Sequence, residues 1–150
     1  MKSASRTWFI TGASKGVGQK LVHHLLEQGH RVAATSRTAA SLTEAFGQAS
    51  DDFLPLEVDL TSEQSIRQAI EKSVQTFGAI DVVVNNAGYA QQGTVEALSE
   101  GELRQNFEVN FFAPVAVVRH ALPHLRRQRS GHIINISSIV GYQGGYAGWG

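Results

Sequence analysis

The strongest constraint on the fold is an alternation along the chain. Short apolar runs follow one another, each separated from the next by a segment whose apolar residues recur at helical spacing. Thr7 to Thr11 reads as a buried strand. The next segment puts Val17, Leu21, Val22, Leu25 and Leu26 on one helical face, and Gly29 stands where that helix would stop. Arg31 to Ser36 reads as a second strand and Ala39 to Ala49 as a second helix. Phe53 to Val58 reads as a third strand, although Pro55 lacks the N–H that an interior strand uses. The T-S-E-Q pattern from Thr61 has capping-box spacing, with Gln64 three residues on. It leads into a stripe of Ile66, Ile70, Val74 and Phe77. Ile80 to Val84, apolar apart from Asp81, has the continuous character of a strand covered on both faces. Ser99 to Glu102 repeats the capping pattern. A long helix is predicted from about Leu103 past Ala121, with Pro114 and Pro123 expected to bend or end it. His132 to Ser137 reads as the fifth strand.

This order predicts an α/β fold, a doubly wound parallel sheet with helices on both faces in the Rossmann manner. The length of 150 residues suits one domain, and no internal repeat or linker divides it. The last ten residues, GYQGGYAGWG, are glycine-rich and bring no closing element, so residues 1–150 read as a single dinucleotide-binding domain truncated on its C-terminal side. The formal net charge is zero, which argues against nucleic acid or an anionic membrane as a partner. No cysteine is present, and no apolar run approaches the roughly 20 residues needed to span a bilayer. A cytoplasmic location is the expectation. His120 and His124 stand four apart, but Pro123 interrupts them and no third ligand is evident, so no metal site is expected. The basic run LRRQR at 125–129 suits the carbonyl end of the preceding helix.

The chemistry is concentrated in TGASKGVG, residues 11–18, between the first strand and the first helix. Gly12 permits a tight turn off the strand, Gly16 a close backbone approach to a pyrophosphate, and Gly18 tight packing of helix against sheet. A helix N-terminus offers unpaired N–H groups and partial positive charge, which suit phosphate. Ser14 adds a hydroxyl. The cofactor contacts expected here are Gly12, Ser14, Lys15, Gly16, Val17 and Gly18.

The spacing T-G-x-x-x-G-x-G resembles that of the short-chain dehydrogenase/reductase family, and four further motifs extend the resemblance in the right order. They are VDLT at 58–61, NNAG at 85–88, Asn110 within EVNFFAP, and NISS at 135–138. The resemblance implies that Asp59, followed by Leu60, contacts adenine, and that Asn86, Ala87 and Gly88 line the cofactor site. It implies catalytic roles for Asn110, which positions water in a proton relay, and Ser138, which hydrogen-bonds the substrate oxygen. Ser137 competes for the serine role, and strand alternation would point the two side chains to opposite sides. The family's Tyr, with a Lys four residues later, has no match. Tyr146 follows Tyr142 at that interval, Gly150 follows Tyr146, and no lysine occurs after Lys72. The family's Tyr would fall just beyond Gly150, so the segment alone is expected to be inactive, and the complete protein to be a homo-oligomer.

For the cofactor, strand two ends in Thr35, Ser36 and Arg37. Enzymes that use NAD place an acid here to bind the adenosine ribose. Ser36 occupies that place and no carboxylate is nearby. Arg37 and Lys15 offer positive charge for a 2′-phosphate, which predicts NADP rather than NAD. The leading reading is an NADP-dependent oxidoreductase that interconverts a small-molecule alcohol and carbonyl. The alternatives are a redox-sensing regulator that binds the dinucleotide without catalysis, and an epimerase or dehydratase on the same scaffold. A Tyr and Lys beyond Gly150 would favour the enzyme over the sensor.

Overall fold

The structure, a computed structural model, describes residues 5–139. Strands β1 (Thr7–Ile10), β2 (Arg31–Ser36), β3 (Phe53–Glu57), β4 (Val82–Asn85) and β5 (His132–Asn135) form one sheet in the order β3-β2-β1-β4-β5. All four pairings are parallel. Side chains alternate across this sheet, so each strand feeds two cores. Phe9, Ala33, Leu54 and Val83 point to one side, against α3 (Glu63–Phe77) and α5 (Ala113–Gln128). Ile10, Val32, Phe53, Val82 and Val84 point to the other, against α1 (Gly16–Glu27) and α2 (Ala39–Phe46). The expected doubly wound sheet with helices on both faces is therefore present. Among the described residues no helix is long and apolar enough to cross a membrane.

Several local expectations are corrected. Val17 was expected on the buried face of α1 but is 64% exposed, while Val22 and Leu25 carry that face. Helix α2 stops at Phe46 rather than Ala49, because Gly47 at φ 86° turns the chain away. The cap of α3 is Ser62, whose hydroxyl accepts from the Ser65 N–H at 3.2 Å. Thr61, one residue earlier, gives its hydroxyl to the Asp59 carboxylate at 2.7 Å and so is not free to cap.

The long apolar helix is three consecutive pieces. Helix α4 (Glu100–Phe107) starts earlier than expected because Ser99 and Glu102 form a full capping box. A π turn (Glu108–Phe112) follows, in which the Ala113 N–H reaches back to the Glu108 carbonyl. Pro114 then sits in the first turn of α5, where its missing N–H is tolerated. Pro123 does not end α5. The helix continues to Gln128, with Ala121 and Leu125 buried on either side of the proline. Arg129, at φ 55°, ends it.

Candidate functional site

The chain runs outward from β1 to β2 and β3, then returns to place β4 on the opposite side of β1. Such a reversal opens a crevice at the carboxyl ends of the two central strands, the usual ligand position in open α/β sheets. Here the glycine turn after β1 meets the loop after β4. Thr11, 3% exposed, joins them, since its hydroxyl accepts from the Asn86 and Ala87 N–H groups, both at 3.0 Å. Asn86 answers from the other side, its Nδ2 donating to the carbonyls of Thr11 (3.0 Å) and Gly12 (2.9 Å).

Two glycines are required by this clasp. Gly12 has φ 66°, and a Cβ there would lie 2.7 Å from the Ala87 Cα. A Cβ on Gly18 would run into the Gly12 carbonyl and the Asn86 amide. Gly16, by contrast, faces open space. The N-cap of α1 is Lys15, in extended conformation, with no side-chain cap, and no acid stands in the first turn. Its first N–H groups have no acceptor within the helix and carry the partial positive charge of the helix end. A cradle that is tight behind, open in front and lined by backbone N–H groups fits a dinucleotide pyrophosphate. Gly12, Ser14, Lys15, Gly16 and Gly18 are the residues that would hold it. Val17, exposed beside them, forms part of the rim rather than of the core.

At the far end of β2, Ser36 is buried. Its hydroxyl accepts from the Thr38 N–H at 3.3 Å and shares a hydrogen bond of 2.8 Å with Ser41. Arg37 is exposed. The expectation that no carboxylate is nearby is wrong. Glu57, the register partner of Ser36 on β3, places its carboxylate on the Ala39 N–H at 3.1 Å. The acid is twenty-one positions along the chain from Ser36 and becomes its neighbour only through strand pairing. Asp59 is exposed, and the Thr61 hydroxyl and N–H, at 2.7 and 2.9 Å on the same oxygen, hold its carboxyl below the ordinary value. Leu60 lines the seam beneath Thr11, Asn85 and Ala87.

On the β4–β5 side, Asn110 lies within the π turn. Its Oδ1 accepts from the Tyr89 N–H at 3.0 Å, and its Nδ2 donates to the Tyr89 carbonyl at 2.8 Å. Asn106, one turn earlier and buried, donates to the same carbonyl at 2.9 Å. Gly88 passes close beneath, where a Cβ would stand 3.1 Å from the Asn110 Oδ1. Strand β5 ends at Asn135, whose amide oxygen accepts from Asn85 Nδ2 at 2.8 Å. The fifth strand was expected to reach Ser137. Ser137 and Ser138 instead follow the strand, both exposed, so strand alternation does not set their directions. Tyr142 and Tyr146 lie outside the described residues.

Comparison with known proteins decides the family. A family model described as short chain dehydrogenase matches residues 6–149. This chain belongs to the short-chain dehydrogenase family. Among curated relatives, it is 41% identical over 149 residues to "Oxidoreductase calM" of Penicillium decumbens, a match covering 93% of this chain and 48% of that protein. A crystal structure of a short-chain dehydrogenase from Streptomyces avermitilis superposes with a TM-score of 0.88 at 34% identity, over 99% of this chain and 54% of that one. The structure "ElxO with NADP Bound" gives a TM-score of 0.86 at 28% identity, over 94% of this chain and 58% of that one. The chain spans about half the length of the curated relatives it matches.

Against this short-chain dehydrogenase frame, the structure brings the glycine turn, Asn86 and Ala87 into one contact network and sets Asn110 beside Gly88. Sequence reasoning gave no role to Thr11, Asn106 or Glu57. Thr11 opens the motif itself, and a buried threonine before a glycine turn is a signal for an acceptor of loop N–H groups. Asn106 precedes Asn110 by four residues, a spacing that stacks two side chains on one helix face. Glu57 had no local signal.

Proposed function

We propose that the chain forms the cofactor-binding part, and some of the catalytic part, of an NADP-dependent oxidoreductase that interconverts an alcohol and a carbonyl on a small-molecule substrate. The observation that carries the reading is the clasp of Thr11 and Asn86 around an uncapped helix start at the sheet's switch point. A helix start without a side-chain cap or an acid in its first turn, set beside two loops tied together, suits a bound phosphate. The NADP bound to a structural neighbour of this chain supports the cofactor assignment. So does Arg37, which is exposed at the end of β2 and takes part in no ion pair among the described residues.

In this reading Gly12, Ser14, Lys15, Gly16, Val17 and Gly18 hold the pyrophosphate. Ser36 and Arg37 face the adenosine 2′-phosphate. Asp59 and Leu60 border the adenine, and Asn86, Ala87 and Gly88 border the remainder. The bound dinucleotide supplies hydride chemistry. Ser138 donates a hydrogen bond to the substrate oxygen, and Asn110 fixes the loop that faces it. The proton transfer would be completed by a Tyr with a Lys four residues later, the pair that the family resemblance implies. The complete protein works in the cytoplasm as a homo-oligomer.

The test is a pair of dissociation constants measured on the complete protein. NADPH binds more tightly than NADH, and Arg37→Asp weakens NADPH by about 1–3 kcal/mol, the usual cost of losing charge-assisted hydrogen bonds. Equal constants for the two cofactors in the unmutated protein would overturn the NADP assignment.

A further inference from the structure

We infer that Glu57 is a specificity-determining residue of the cofactor site, an acidic counterweight to Arg37 that lowers the preference for a 2′-phosphorylated adenosine. The inference rests on the reading that Ser36 and Arg37 face the adenosine ribose. It differs from that reading in assigning a role to a residue of another strand.

Three observations carry it. The parallel pairing of β2 and β3 sets Glu57 directly opposite Ser36, and the Val58 N–H donates to the Ser36 carbonyl at 2.8 Å, which fixes the register at the strand ends. The Glu57 carboxylate is also held in place, because Oε2 accepts from the N–H of Ala39, the first residue of α2. The same short stretch, from Ser36 to Ser41, is drawn tight by the Ser36, Thr38 and Ser41 hydroxyls. Arg37 is the second residue of that stretch, and no ion pair within 4.0 Å joins it to Glu57. The two charges therefore leave neighbouring strand ends, Arg37 one residue past β2 and Glu57 at the last residue of β3, with no ion pair between them.

The consequence follows from their signs. A 2′-phosphate brought to Arg37 gains a charge-assisted contact and meets the field of a carboxylate anchored on the Ala39 N–H, at the neighbouring strand end. A ribose bearing only a 2′-hydroxyl meets no such repulsion, and a carboxylate is a strong acceptor for that hydroxyl. Both effects move the ratio of affinities in the same direction. NADP specificity in this chain is thus a difference between an attractive and a repulsive element rather than the work of Arg37 alone.

Glu57→Gln removes the charge while leaving an amide oxygen for the Ala39 N–H, so the β3–α2 contact survives. In the complete protein, with binding of NADPH and NADH followed by cofactor fluorescence, Glu57→Gln is expected to raise the preference for NADPH about tenfold, with most of the change in NADPH. The same substitution is expected to tighten 2′,5′-ADP and leave 5′-ADP within about twofold, and the effect should shrink as salt rises. Glu57→Ala, which loses the Ala39 acceptor as well, should shift the ratio the same way. A ratio that stays constant or falls in both variants overturns the role of Glu57. If Arg37→Asp still weakens NADPH in that case, the cofactor reading stands and only this inference fails. Failure of the unmutated protein to bind either dinucleotide overturns both.

Discussion

Replacing Thr11 by valine tests the centre of the site without reference to any reaction. Valine has nearly the shape of threonine, so the substitution opens no cavity. What it removes is the hydroxyl that accepts from the Asn86 and Ala87 N–H groups, each at 3.0 Å. A buried donor left without an acceptor costs about 1–3 kcal/mol. These two groups are part-buried and water reaches them in some measure, so the lower half of the range applies to each, and the sum is about 2–4 kcal/mol. That is a large share of the roughly 5–15 kcal/mol that holds a typical domain folded. Urea unfolding followed by tryptophan fluorescence should show a lower midpoint with an unchanged slope. Thr11→Ser, which keeps the hydroxyl, should recover most of the loss. The same order of variants should appear in NADPH affinity, because the loop from Asn86 to Gly88 would no longer be tied to the glycine turn. If Thr11→Val unfolds within about 0.5 kcal/mol of the unmutated protein, the hydroxyl is not what joins the two loops, and the account of the cradle is wrong.

Gly18→Ala should lower both stability and cofactor affinity by about 1–3 kcal/mol, since its Cβ has no space between the Gly12 carbonyl and the Asn86 amide. Gly101→Ala, at an exposed helical position with only the Ser99 hydroxyl near, serves as the control in thermal unfolding, and equal melting temperatures for the two variants would count against the packing argument. Glu63 bridges α3 to α5 by accepting from Arg119 at 2.7 Å and contacting His120 at 3.0 Å on one oxygen, and these partners hold its carboxyl below the ordinary 4.5. Its folded value is depressed, so its contribution to stability is present above 4.5 and is lost as the pH falls through the lower folded value. Glu63→Gln should therefore flatten the acid side of the stability profile. Parallel acid limbs for the two proteins, from urea midpoints at a series of pH values, would refute this.

The layers of the fold were legible because each strand is an uninterrupted apolar run between helix-period segments, and a parallel sheet covered on both faces demands that pattern. The glycine turn was legible because backbone geometry restricts those positions to one residue type. What escaped were features that depend on partners rather than on residue type or period. Residue type does not distinguish Thr61 from Ser62 as a cap, and the choice is made by Asp59, two residues upstream, which engages the Thr61 hydroxyl. Periodicity cannot show a π turn, since one widened turn barely disturbs the apolar stripe of α4 and α5. Glu57 reads as a solvated acid until pairing with β2 sets it opposite Ser36. Pro123 was read by its intrinsic cost, and the buried Ala121 and Leu125 beside it outweigh that cost.

The π turn also bears on what Asn110 contributes. Both polar atoms of its side chain are engaged with the backbone of Tyr89, and Asn106 supports the same carbonyl. The side chain is therefore occupied in shaping the loop that follows NNAG. Its backbone is in a different position. In a regular α-helix the Asn110 carbonyl would accept from the N–H four residues on, but that residue is Pro114, which has none. The π turn spans this position, and five-residue bonds such as that from the Ala113 N–H to the Glu108 carbonyl do not call on the missing Pro114 N–H. The identity of residue 110 then matters through the clamp on Tyr89, and the identity of residue 114 through the α-helical donor that it withholds, which a widened turn accommodates.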